Sequence, residues 1–216
     1  MTRNRTAPQR RRGGSRFRRP AGLLGGLAGG LLLLAACATA PEVRYFRVDP
    51  ARPAPAAEAP LPVTLGVARV AAPEPYRQER IIYRTSPYEV QMYGADRWES
   101  SPVDMVGHAL LERLRRSGLF RRVVPWRAGD ADVRLDVRLR RFEEVDEADA
   151  WYGVVELEYE VVAGDGTSLL RGGSDQRVRA EARTVDGVVR ALSHGLAVSL
   201  DEVTAQTAGA IRQARR

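Results

Sequence analysis

The side chains that could carry chemistry are few and scattered. The chain has two histidines, His108 and His194, and one cysteine, Cys37. On helical geometry each histidine lies off the apolar stripe of its own segment, which makes it a surface residue rather than a general base. Neither has another metal-ligating histidine or cysteine close by, so the sequence offers no zinc-type ligand set, and no metal is expected. There is no Gly-x-Ser-x-Gly elbow, no P-loop and no Gly-x-Gly-x-x-Gly fingerprint. Carboxylates are plentiful, but they fall on alternating strand positions or in one acidic loop (Glu143, Glu144, Asp146, Glu147, Asp149). No two of them are spaced for joint acid–base work. These residues point away from an enzyme and away from any cofactor.

One cluster stands out. Tyr76, Tyr83, Tyr88, Tyr93 and Trp98 place five of the fourteen aromatic residues within 23 positions, with Arg77, Arg80, Arg84 and Arg97 interleaved. Aromatic and arginine side chains anchor protein interfaces, and together they suit an apolar ligand with an acidic head. The candidate partner- or ligand-binding residues are therefore Tyr76, Arg77, Tyr83, Arg84, Tyr88, Tyr93, Arg97 and Trp98. The competing reading is that several of these rings are core residues or cross-strand pairs.

Cys37 has a different context. Residues 1–20 carry eight arginines and no acid, and Ala21–Ala36 is an uncharged run of Ala, Gly and Leu. That is the layout of an export signal. The run is shorter than the roughly 20 apolar residues that a membrane span needs. It ends Leu34-Ala35-Ala36-Cys37, which resembles the lipobox of bacterial lipoproteins. The resemblance implies removal of residues 1–36 and acylation of Cys37, and two or more acyl chains anchor a protein stably. Ala38, rather than Asp, follows the cysteine, which favours the periplasmic face of the outer membrane over retention at the inner one. As the only cysteine, Cys37 also leaves the exported domain without an internal disulfide, so the fold must rest on its core.

The basic charge balance belongs mostly to the signal. The chain has 34 basic and 27 acidic residues, for a net charge of +7. Taking away the eight arginines of residues 1–36 leaves 26 basic and 27 acidic residues, close to neutral. Nucleic-acid binding has no support in that balance.

The elements that must position the cluster can be read from period and caps. Residues 37–62 read as the lipidated cysteine followed by a Pro/Ala-rich tether, with Tyr45–Val48 as a short first strand inside it. Residues 63–216 read as a single domain. Val63, Leu65 and Val67 alternate as a strand. Arg80–Arg84 and Tyr88–Tyr93 predict a hairpin turning at Thr85-Ser86-Pro87. Ser101, Pro102 and Asp104 predict a helix start, Val103, Val106, Leu110 and Leu114 its buried stripe, and Gly118 its stop. Val133–Leu139 and Val155–Val161 alternate with rows of Arg and Glu, which predicts an antiparallel pair whose opposite charges fix register on a solvated face. The other use of those rows is a charged docking surface. Val178, Ala180 and Ala182 mark the last strand. A long amphipathic helix over 187–215, capped by Asp186, closes the chain. The expected fold is α/β: a mixed, largely antiparallel sheet with two main helices packed on it.

The lipobox, Tyr45–Val48, Leu61–Val70, Tyr76-Arg77, Ile81–Arg84, Tyr93, Arg97-Trp98 with Pro102, and the helix leading to Leu119-Phe120 resemble the ABC-type transport auxiliary lipoproteins, of the PqiC type. Trp98 and Pro102 are one residue further apart than the family's commonest spacing. The resemblance covers about 42–216 and is weaker after 130. It implies an α/β sandwich and a non-catalytic lipoprotein. Such a protein works with an ABC permease, its ATPase and an MCE-domain protein to move phospholipids or other hydrophobic molecules between membranes. A phospholipid is then a candidate ligand, and homo-oligomerisation stays open. The alternative function is a structural envelope lipoprotein that assists outer-membrane assembly or cell-wall attachment.

Overall fold

The computed structural model describes residues 42–50 and 59–216. The signal segment, Cys37 and the middle of the Pro/Ala-rich stretch lie outside the described residues. The strands are β1 (Arg44–Phe46), β2 (Leu61–Val67), β3 (Arg80–Ser86), β4 (Glu89–Trp98), β5 (Phe120–Pro125), β6 (Val133–Asp146), β7 (Trp151–Ala163) and β8 (Ser168–Arg179). The helices are α1 (Pro102–Ser117) and α2 (Val185–Ala214), and a short 3-10 helix covers Glu74–Arg77. The expected mixed α/β class holds.

The long strand β6 organises the sheet. On one side it pairs antiparallel with β7, and β7 with β8. On the other it pairs parallel with two different strands. β2 lies along its start at Val133–Leu135, and β3 along its end at Glu144–Val145. β5 extends the sheet beyond β2, while β4 and then β1 extend it beyond β3. The predicted charge pairing is present: Arg138 faces Glu158 and Arg141 faces Glu156. Asp136 faces Glu160, and this like-charge pair is relieved by Arg134 on Asp136 (2.9 Å) and Arg171 on Glu160 (3.0 Å).

The helices cover one face. Ser101 caps α1, accepting from the Asp104 amide at 3.3 Å, and Gly118 ends it at φ 68°. Val103, Val106, Leu110 and Leu114 are buried as the spacing predicts. In α2, Val188, Leu192, Leu196, Leu200, Val203 and Thr207 form the buried stripe. The cap of α2 is Thr184, which accepts from the Gly187 amide at 3.1 Å, and Asp186 instead supplies an acid in the first turn. Arg113 and Asp201 join the two helices at 2.5 Å. Strand β7 meets α2 at Gly153, where a Cβ would lie 2.7 Å from the Leu192 amide nitrogen.

Four local expectations change. Strand β8 ends at Arg179, so Ala180 and Ala182 lie beyond it. The β3–β4 turn is Pro87-Tyr88, one register later than expected, because β3 runs on through Ser86. The expected first strand is present but spans Arg44–Phe46 rather than Tyr45–Val48, and it pairs with β4. Glu143 and Glu144 are not in the acidic loop: they are the buried end of β6.

Candidate functional site

Part of the interleaved set, Tyr76, Arg84 and Tyr93, converges on those two glutamates. A register shift between Leu139 and Arg141 inserts one extra residue into β6. Such a bulge reverses the inward–outward alternation beyond it. Phe142 therefore keeps to the core side, where Trp98 meets it edge-on with centroids 5.6 Å apart. Glu144 follows on that same helix-facing side, opposite Gly153, and Glu143 points the other way.

Glu143 is closed in by three donors. Tyr76, on the 3-10 helix, donates to Oε2 at 2.6 Å. Arg84 of β3 and Arg141 of β6 donate to Oε1 at 2.8 and 2.9 Å. A buried carboxylate needs this degree of compensation. Burial and the bond to Glu143 push the Tyr76 phenol up, so it remains a donor. A surface basin of about 600 Å³ lies beside this cluster, lined by Arg84, Arg141 and Arg177 among others. Arg84 and Arg141 are held by Glu143, and Arg177 by Glu147, so these three guanidinium groups already have carboxylate partners.

Glu144 has a different environment. The Tyr93 hydroxyl donates to its two oxygens at 2.9 and 3.1 Å. Tyr83 packs on Tyr93 with centroids 4.9 Å apart and donates to Gln91. Burial, then the hydrogen bond with Asp146, raises the Glu144 carboxyl to about 8. Asp146 Oδ1 is buried with no donor of its own. A protonated Glu144 is able to donate toward Asp146, which is the interaction that, after burial, holds the Glu144 carboxyl up. Because Glu143 and Glu144 face opposite sides of one strand, they cannot attack one substrate together. Glu144 itself is fully buried behind Tyr93, so the arrangement braces the hairpin rather than presenting an acid to solvent.

The sequence-derived candidates thus divide. Tyr76 and Arg84 gather at Glu143, and Tyr83 and Tyr93 beside Glu144. Trp98 is a core residue. Arg97 is half-buried, Arg77 is exposed and pairs with Glu74 at 4.0 Å, and Tyr88 stands in the turn almost wholly exposed. The two glutamates that collect the cluster went unseen, since Glu-Glu-Val-Asp-Glu reads locally as a solvated loop. The signal that could have found them is the break in alternation at Arg140-Arg141. His108 and His194 are exposed. Among the described residues, no three His, Cys, Asp or Glu side chains could hold a metal ion together, and no helix is long and apolar enough to cross a membrane.

The family model for the ABC-type transport auxiliary lipoprotein component matches residues 46–204. The chain belongs to that family. The match takes in every strand from β2 to β8, all of α1 and most of α2. No curated protein matches the chain. Among solved structures, this auxiliary lipoprotein is similar to protein XCC0632 of Xanthomonas campestris. The TM-score is 0.72 at 19% identity, with 80% of this chain and 99% of that chain covered. It is also similar to an uncharacterized protein, with a TM-score of 0.61 at 17% identity, over 76% of this chain and 98% of that one. At these identities the likeness speaks for the fold alone. In the auxiliary-lipoprotein fold seen here, the segment that carries Tyr76, Arg84 and Tyr93 is the part locked to the end of β6.

Proposed function

We propose that this protein is a non-catalytic, membrane-anchored component of an MCE/ABC-type system that moves phospholipid or another hydrophobic molecule between membranes. In this reading Cys37 is acylated and holds the domain at the periplasmic face of the outer membrane. An MCE-domain protein, with its permease and ATPase, is the partner. The observation that carries the reading is the family match across nearly the whole described domain. The site geometry agrees with it: polar groups of the β3–β4 hairpin are spent on Glu143 and Glu144, which makes the hairpin a rigid platform instead of a reaction centre. Arg97 on β4 and Arg77 on the neighbouring 3-10 helix are the charges that face the partner in this reading.

The test is recovery of the lipidated protein from its own membranes, with mass spectrometry of the proteins and lipids that come with it. The expected result is an MCE-domain protein or its permease. Arg77→Glu with Arg97→Glu should reduce that recovery while leaving the thermal midpoint within a few degrees, because neither residue is fully buried. Recovery of only cell-wall or outer-membrane assembly proteins would sink the transport role.

A further inference from the structure

The exposed large apolar side chains of the described domain lie mostly along one edge of the sheet. Six large hydrophobic side chains are exposed among the described residues: Val43, Tyr45, Tyr88, Val90, Met92 and Trp126. All but Trp126 lie on or next to β1 and the β3–β4 hairpin. Tyr88, in the turn, is 97% exposed, and Val90 and Met92 follow it on one face of β4 at 43% and 40%. β1 covers β4 only from Asp96 to Trp98, so no described strand lies on the outer side of Glu89–Ala95.

The direction of β1 says what meets the turn at the end of that edge. β1 is parallel to β4, with Arg44 beside Asp96. Because β4 runs away from the turn, the chain entering β1 comes from the turn's side. From Cys37 to Arg44 is seven residues, a reach of at most about 25 Å when fully extended. From Asp96 back to Tyr88 is eight residues along the strand, about 26 Å at ordinary strand rise. The linker therefore cannot hold the acyl chains further out than the hairpin itself protrudes. A bilayer that takes up the anchor from that side meets the turn.

We propose that the tip of the β3–β4 hairpin, with Tyr88 at its end and Val90 and Met92 behind it, seats in the interface of the bilayer that holds Cys37. A tyrosine at the tip suits the headgroup level, where its ring is apolar and its hydroxyl stays wet. The hairpin can bear this load because Tyr83 and Tyr93, on its two strands, are braced against β6 through Glu144. The proposal rests on the acylation of Cys37 and adds a second membrane contact to it.

The test uses the full lipidated chain carrying Tyr88→Cys, labelled with an environment-sensitive dye. The thioether at Cys37 leaves position 88 as the single free thiol. The vesicles are phosphatidylethanolamine with phosphatidylglycerol, with or without brominated acyl chains. Thr167→Cys, exposed in the β7–β8 turn at the far end of β6, is the control. The expected result is a several-fold fluorescence rise at position 88 that bromolipid quenches, with none at position 167. Flotation with vesicles but a water-like signal at 88 overturns the tip contact while the anchor stands. A rise that needs no vesicles and grows with protein concentration overturns it in favour of a second copy. An unmodified Cys37 by mass spectrometry, with no flotation, overturns the anchor reading itself.

Discussion

Glu143 and Glu144 are neighbours with opposite solutions to the same cost. Glu143 is compensated by two guanidinium groups and a phenol, whereas Glu144 is compensated by a phenol and by keeping its proton. An acid whose folded pKa lies above its unfolded one favours folding while protonated. Between its ordinary 4.5 and its folded value of about 8, the folded chain holds a proton that the unfolded chain has released. Stability should therefore fall as pH rises through that window, by up to about 1.4 kcal/mol per pH unit. Glu144→Gln keeps a donor toward Asp146 and an acceptor for Tyr93, and should flatten that slope in urea titrations run from pH 5 to pH 8. An unchanged slope would mean that Glu144 is ionised in the folded chain. Trp98 belongs to the same scale. It is fully buried against Phe142, so Trp98→Ala should cost about 3–5 kcal/mol, read by denaturant unfolding. Tyr88→Ala, at an exposed turn, should stay within about 0.5 kcal/mol.

Most of the elements could be read before the structure, because caps and period are local. Ser101, Pro102 and Gly118 bracket α1 by chemistry that needs no tertiary partner. The alternation in β6 and β7, with Arg against Glu, marks the two as an antiparallel pair, while the bulge between Leu139 and Arg141 sets the register beyond it. The site was legible only as composition. Its organising residues are buried by partners far away in sequence: Tyr76 is 67 positions from Glu143, and Tyr93 is 51 from Glu144. A bulge turns the strand between them, and local pattern carries no record of which distant ring arrives. The same limit hid the fate of Trp98, which is buried against Phe142, 44 positions away in sequence. Gly153 offers a prediction at this scale. A Cβ there would press on the backbone of α2 at Leu192 and Ala191, which is not a flexible side-chain end that can yield. Gly153→Ala should force β7 and α2 apart and cost about 1–3 kcal/mol, a typical penalty for overpacking, with a corresponding drop in thermal midpoint.

For the whole molecule, the proposed anchor makes a separate prediction. Cys37→Ser should move the protein from the membrane to the soluble fraction without changing its unfolding curve, because the buried residues of the described domain, from Val63 to Ile211, pack on one another. Loss of folding in that variant would place the lipid attachment inside the folding unit. The way the chain enters the sheet also has a mechanical meaning. A pull on the chain ahead of Arg44 travels along the axis of β1. It loads the Arg44–Asp96 fork, with contacts of 2.7 and 3.0 Å, and the bond from the Glu99 amide to the Phe46 carbonyl (2.7 Å) as a set. Contacts loaded in shear must yield together, whereas a strand peeled from its end gives way one bond at a time. A three-residue strand is thus placed as a clamp, so that tension on the tether is borne at the edge of the sheet before it reaches β6 and the carboxyl groups buried beneath it.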